Sequence, residues 1–216
     1  NVGVAVSDSP LGPFIDKGCL IDSKVIGVQN SIDQFFYEDN GKKYMFWGSF
    51  RGIYATELTD NGLEIKKKTD GTPVLKKRIC GNRFEGTNIY KRGEYYYLFA
   101  SIGTCCNGAT STYQTVVGRS KNVLGPYLDK TGRDMLYDYC EIIMSGNETW
   151  AGPGHNSILI QDDVGTDWII YHGYKKKEAE NGRYVLMDKL IWSNDGWPSV
   201  KSNAPSILEV APYFQK

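Results

Sequence analysis

Three ionisable side chains stand at nearly matching positions in a sequence that repeats itself. Asp33 precedes Tyr44 by 11 residues, Glu85 precedes Tyr96 by 11 and His155 precedes Trp168 by 13, and each of those aromatic residues belongs to one of three similar strands. An acid set among strand-forming apolar residues, as in Ser31-Ile32-Asp33-Gln34-Phe35-Phe36 and Arg83-Phe84-Glu85-Gly86-Thr87, is costly to bury unless it is paired or at work. Two converging carboxyls push one of the pair toward its protonated form at neutral pH, which suits a general acid. Paired carboxyls across a channel are the working parts of glycosidic-bond hydrolysis. Taken singly, Asp33 and Glu85 read more simply as turn or surface residues, and only their shared register argues for a site. His155 has a structural reading of its own, a hydrogen-bonded histidine in a channel. With only His155 and His172 in the chain, a multi-histidine metal site is excluded.

The elements that must carry these residues are strands. A turn feeds an aromatic strand three times, in Asn40-Gly41-Lys42-Lys43-Tyr44-Met45-Phe46-Trp47, in Arg92-Gly93-Glu94-Tyr95-Tyr96-Tyr97-Leu98-Phe99 and in Val164-Gly165-Thr166-Asp167-Trp168-Ile169-Ile170-Tyr171. A second phrase recurs: Val4-Ala5-Val6-Ser7 precedes Gly12-Pro13-Phe14, and Val117-Gly118-Arg119-Ser120 precedes Gly125-Pro126-Tyr127. Gly52 to Leu58 and Arg183 to Leu190 read as third strands of their units. Four-strand units repeating at this length are the pattern of propeller blades. Units are expected over roughly 25–75, 76–140 and 141–200, with residues 1–24 as the outer strands of an earlier one. The three ionisable residues then fall on the first strands, which line the central channel. Long inter-strand loops are expected at 103–112 and 128–150, and no amphipathic helix of three turns is expected anywhere.

Composition agrees. The chain has 216 residues, 41% hydrophobic and 13% aromatic, with 24 Gly, which favours an all-β globule. Lys plus Arg and Asp plus Glu are both 25, so the zero net charge argues against a nucleic-acid partner. No apolar run nears the ~18–20 residues of a membrane span. The five cysteines show no metal-ligand spacing. Cys105-Cys106 reads either as a vicinal disulfide or, more simply, as two small loop residues. Lys175-Lys176-Lys177 reads as a solvated loop.

These residues resemble glycoside hydrolase family 43. The resemblance covers nearly the whole chain and rests on Ile32-Asp33 with Tyr44-Met45-Phe46-Trp47-Gly48-Ser49, on Glu85 with Tyr95-Tyr96-Tyr97-Leu98-Phe99, and on Gly196-Trp197-Pro198. Cys105-Cys106, Ser111-Thr112-Tyr113 and Gly152-Pro153-Gly154-His155-Asn156 are most similar to the arabinan endo-1,5-α-L-arabinosidase branch. The resemblance implies a five-bladed propeller that inverts the anomeric centre of α-L-arabinofuranosyl linkages in arabinan or a related plant polysaccharide. Glu85 would be the general acid, and Asp33 would raise its pKa and hold its orientation. His155 would sit by a calcium ion, bound directly or through water. Asn30, Ser49 and Arg183 would touch sugar, with turn or structural hydrogen bonding as the other reading of each.

No organic cofactor is implied. The partners would be arabinan or arabinoxylan oligosaccharides, in a secreted or periplasmic setting suited to so large a substrate. The family's general base is an Asp on a first-blade strand that has no counterpart in this chain. The expectation is therefore a single catalytic propeller domain over 1–216, about three and a half blades, as a fragment lacking the first. An exo-acting arabinofuranosidase or β-xylosidase is the neighbouring enzymatic reading, and a non-catalytic carbohydrate-binding propeller is the reading from another class. Two departures from the family are Gln34 where Pro often follows the aspartate, and Gly86-Thr87-Asn88 after Glu85.

Overall fold

A computed structural model describes residues 1–215. The chain opens on a hairpin of β1 (Val2–Val6) and β2 (Ile15–Ile21), followed by one helical turn, α1 (Ser23–Ile26). Asp22 caps that turn by accepting from the Lys24 and Val25 N–H groups, and Gly27 ends it in the left-handed region at φ 66°.

Two four-stranded antiparallel sheets come next. The first is β3 (Phe35–Asp39), β4 (Lys42–Trp47), β5 (Ile53–Glu57) and β6 (Lys77–Cys80), paired in that order. The second is β7 (Glu85–Arg92), β8 (Tyr95–Ile102), β9 (Gln114–Ser120) and β10 (Glu141–Met144), again paired in chain order. In the third sheet the inner strand is split. β11 (Trp150–Gly154) and β12 (Ile160–Gln161) both pair with β13 (Asp167–Lys175), whose other edge takes β14 (Arg183–Lys189). β15 (Ile191–Trp192) and β16 (Pro198–Ser199) form a separate ribbon.

The second strands β4 and β8 read as unbroken aromatic runs because both their faces are covered, each by a neighbouring sheet. Alternate residues along a strand point to opposite faces. On β4, Tyr44 and Phe46 pack toward the second sheet with Leu98 and Val116, while Met45 and Trp47 pack toward the first hairpin with Ile21 and Val28. On β8, Tyr96, Leu98 and Ala100 face the first sheet, and Tyr97 and Phe99 face the third with Ile169, Tyr171 and Leu190. Successive sheets are therefore stacked face to face, as blades are.

The third strands fall where expected, at β5 and β14. The outer strands correct the unit boundaries: β6 lies beyond the 25–75 unit, and β10 lies inside the stretch expected to be a 128–150 loop and beyond the 76–140 unit. Both are four residues long with a register irregularity, too short for an alternating pattern to stand out. The repeated Ser-to-Gly-Pro phrase is one local structure used twice, with Gly12 and Gly125 at φ 81° and 76° ahead of cis prolines.

Candidate active site

Asp33 lies two residues before β3, Glu85 opens β7 and His155 follows the last residue of β11. Of the three, only Glu85 is within a strand. The others stand at strand mouths rather than on the inner strands themselves, because the backbone turns there: Asp33 and His155 have φ of 55° and 51°. Left-handed backbone costs a non-glycine residue about 1–3 kcal/mol and persists only where neighbours enforce it, most often at functional sites.

The structure brings the three together. Glu85 is buried, its Oε2 accepting from Ser49 Oγ at 2.6 Å and its Oε1 from the Tyr113 hydroxyl at 2.5 Å. Burial raises the Asp33 carboxyl above its ordinary value. The His155 charge pulls it back, the Glu85 charge raises it again and the Gly86 N–H lowers it. Asp33 thus feels both other members of the set, and its Oδ2 is buried with no hydrogen-bond partner. The His155 backbone N–H donates to Ser101 Oγ at 2.7 Å, and its ring Nδ1 is 3.4 Å from the Tyr113 hydroxyl. Gly86 explains the unusual residue after Glu85. Its φ is 62°, and a Cβ there would stand 3.1 Å from the His155 ring.

The expected sugar contacts are arranged differently from one another. Ser49 is 2% exposed and its hydroxyl goes to Glu85, while the exposed Asn30 donates from Nδ2 to the Ser49 carbonyl at 2.7 Å. Arg183 is exposed at the rim, Nη1 3.3 Å from His172 Nε2. His172 is pushed down to about 4, chiefly by burial and then by the Arg183 and His155 charges, so it is neutral at pH 7.

Three residues of the cluster had no role in the sequence reading: Tyr113, His172 and Ser101. Tyr113 and His172 stack with centroids 5.8 Å apart, and His172 and His155 with centroids 6.2 Å apart. Tyr113 did carry a signal, because two motifs turn out to be halves of one contact. A Cβ on Gly154 would stand 2.4 Å from the Tyr113 ring, and one on Gly152 would stand 2.1 Å from Ser111 Oγ. The Gly-Pro-Gly segment is therefore the bed on which Ser111-Thr112-Tyr113 lies. Ser101, facing Glu85 across the β7–β8 ladder, left no mark in the sequence.

Cys105 and Cys106 are free thiols, so the vicinal disulfide is not formed. Burial and a hydrogen bond with Cys106 push the Cys105 thiol up to about 11, with the Glu85 charge adding to it. Among the described residues no group of three or more His, Cys, Asp or Glu is placed to hold a metal ion. A cavity of about 930 Å³, lined by residues including Lys17, Leu20, Ile26, Ile65 and Lys76, lies between β2, α1 and the segment after β5, and none of the carboxyl cluster lines it.

Residues 1–198 match the family model for glycosyl hydrolases family 43. The chain belongs to that family. Its stacked four-stranded sheets match the family 43 five-bladed propellers over part of their length. The family 43 chain is 35% identical to the extracellular exo-α-(1→5)-L-arabinofuranosidase ArbA of Cellvibrio japonicus, over 92% of the chain and 61% of the relative. It is also 35% identical to the extracellular endo-α-(1→5)-L-arabinanase 1 of Bacillus subtilis, over 92% of the chain and 59% of the relative. Among solved structures, the Cellvibrio cellulosa α-L-arabinanase complexed with arabinohexaose superposes with a TM-score of 0.77 at 34% identity, over 93% of this chain and 68% of that one. The family 43 chain thus spans about three fifths of the length of these curated relatives.

Proposed function

We propose that these residues form the acid-bearing part of an inverting glycosidase acting on α-1,5-linked arabinan. The observation that carries the reading is the meeting of Glu85 and Asp33: one buried carboxyl gripped at both oxygens by hydroxyls, and a second close enough to feel its charge. Glu85 gives its proton to the glycosidic oxygen as the bond to the anomeric carbon breaks and the electron pair leaves with that oxygen. Asp33, a like charge beside it, opposes a second negative charge in the pocket and fixes the approach of the acid. Water attacks from the opposite face and loses its proton to a base, which in inverting enzymes lies roughly 6.5–9.5 Å from the acid. We assign that base to a carboxylate outside these 216 residues, consistent with the share of the relatives that the chain spans. Arg183 and Asn30, both exposed beside the cluster, contact sugar, and Ser49 serves through Glu85.

We propose in addition that the exposed His155 anchors a calcium ion whose other ligands are mainly water oxygens. Bound there, such an ion would supply positive charge beside the carboxyl cluster. Calcium measured by metal analysis is expected to drop in the His155→Ala protein, and undiminished occupancy would remove His155 from that role.

The setting we propose is extracellular, as it is for the two curated relatives, the arabinofuranosidase and the arabinanase. The reading is tested with the complete protein on linear 1,5-arabinan, following the first product by NMR. The β-anomer is expected first. Appearance of the α-anomer first would exclude inversion, and binding without hydrolysis would leave a carbohydrate-binding propeller. Product length separates endo from exo action, for which the two relatives at 35% identity stand as precedents.

A further inference from the structure

Tyr113 is 1% exposed, and the one hydrogen bond of normal length that its hydroxyl donates is to Glu85 Oε1, at 2.5 Å. Ser49 Oγ holds Oε2 at 2.6 Å. A carboxyl held at one oxygen still turns about the bond to its own chain; held at both, it is confined to one plane. The grip is compatible with a protonated Glu85, because each carboxyl oxygen keeps a lone pair for a hydroxyl donor while the acid O–H points elsewhere. The Tyr113 ring is itself immobilised. Gly154 has no Cβ where one would stand 2.4 Å from the ring, a Cβ on Gly152 would come within 3.4 Å of Tyr113 Cβ, and His172 stacks at 14° between planes. Two glycines and a half-buried histidine are thus arranged around a ring whose polar end reaches Glu85.

We propose that Tyr113 is a positioning residue for the general acid, fixing the plane of the Glu85 carboxyl so that its proton faces the leaving oxygen. This rests on the reading of Glu85 as the acid, and the test separates the two. Tyr113→Phe keeps the ring and removes only the hydroxyl. In the complete protein, its kcat on linear arabinan is expected to fall about 10- to 100-fold, the cost of a slightly misplaced reacting group, with KM changed less than about twofold. On an aryl arabinofuranoside whose acidic phenol leaves without protonation, the fall is expected to be no more than about threefold. Ser49→Ala, which frees the other oxygen, is expected to show the same split between substrates and serves if Tyr113→Phe folds poorly. Adding Tyr113→Phe to Glu85→Gln is expected to cost nothing further, since both act through one group.

Unchanged turnover of arabinan by Tyr113→Phe, an equal fall on both substrates, or a change confined to KM would each overturn the proposal. If Glu85→Gln is inactive while Tyr113→Phe is intact, the positioning role alone fails. If Glu85→Gln keeps its turnover of arabinan, the acid assignment fails and this inference goes with it.

Discussion

Replacing Glu85 with Gln in the complete protein is expected to lower kcat on linear arabinan by about 10²- to 10⁴-fold, the usual worth of a general acid. The amide matches the carboxyl in shape, and its carbonyl still accepts from one of the two hydroxyls at Ser49 and Tyr113. It has no acidic proton to give. Binding of arabino-oligosaccharide is therefore expected to survive, which calorimetry on the inactive variant measures directly. Hydrolysis of a substrate with a phenolic leaving group is expected to suffer far less, because that bond breaks without protonation. Undiminished turnover of arabinan by this variant would remove Glu85 from the mechanism.

Asp33→Asn is expected to trade activity for stability. Burial holds the Asp33 carboxyl above its ordinary 3.8, with the nearby Glu85 charge in the same direction and the His155 charge and Gly86 N–H against it. A carboxyl whose folded value is raised contributes stability that is fully present below the unfolded value and is lost as pH rises through the folded one. Above its raised value the ionised Asp33, its Oδ2 buried without a partner, is therefore a cost to the fold. The amide carries no charge to desolvate. Its Tm is expected to exceed that of the natural protein at pH 7, and the gap is expected to close as pH falls through the raised Asp33 value toward the ordinary 3.8. Turnover of arabinan is expected to fall, at the low end of the ~10²–10⁴ range for acid–base groups, because the charge that accompanies Glu85 is gone. A Tm at or below that of the natural protein at pH 7 would contradict the burial of a charged Asp33.

The part of the site that could be read in advance is the part that depends on local spacing. Asp33 and Glu85 stand 11 residues before matching aromatic residues because each precedes the same hairpin, and a hairpin preserves count. The same logic located β4, β8 and β13, whose aromatic runs need no partner to be recognised. It missed β6 and β10, four residues each, and it set Asp33 and His155 on strands when left-handed turns hold them at the strand ends. A positive φ at a non-glycine residue leaves no trace in composition. Ser49 reads as a sugar contact or a turn hydrogen bond, and not as a support for Glu85, because that partner lies 36 residues away in sequence.

The chain's order of residues settles which side chains recur, at what interval, and that strands carry them, since a period of two and a turn of Gly and Asn are properties of neighbours along the backbone. How Glu85 is gripped, and why two glycines precede His155, depends on faces of different sheets coming into contact. Tyr113 and Glu85 are joined across 28 residues and Tyr113 and His155 across 42. Those contacts exist only once blades stack, because packing acts between surfaces and carries no memory of sequence distance.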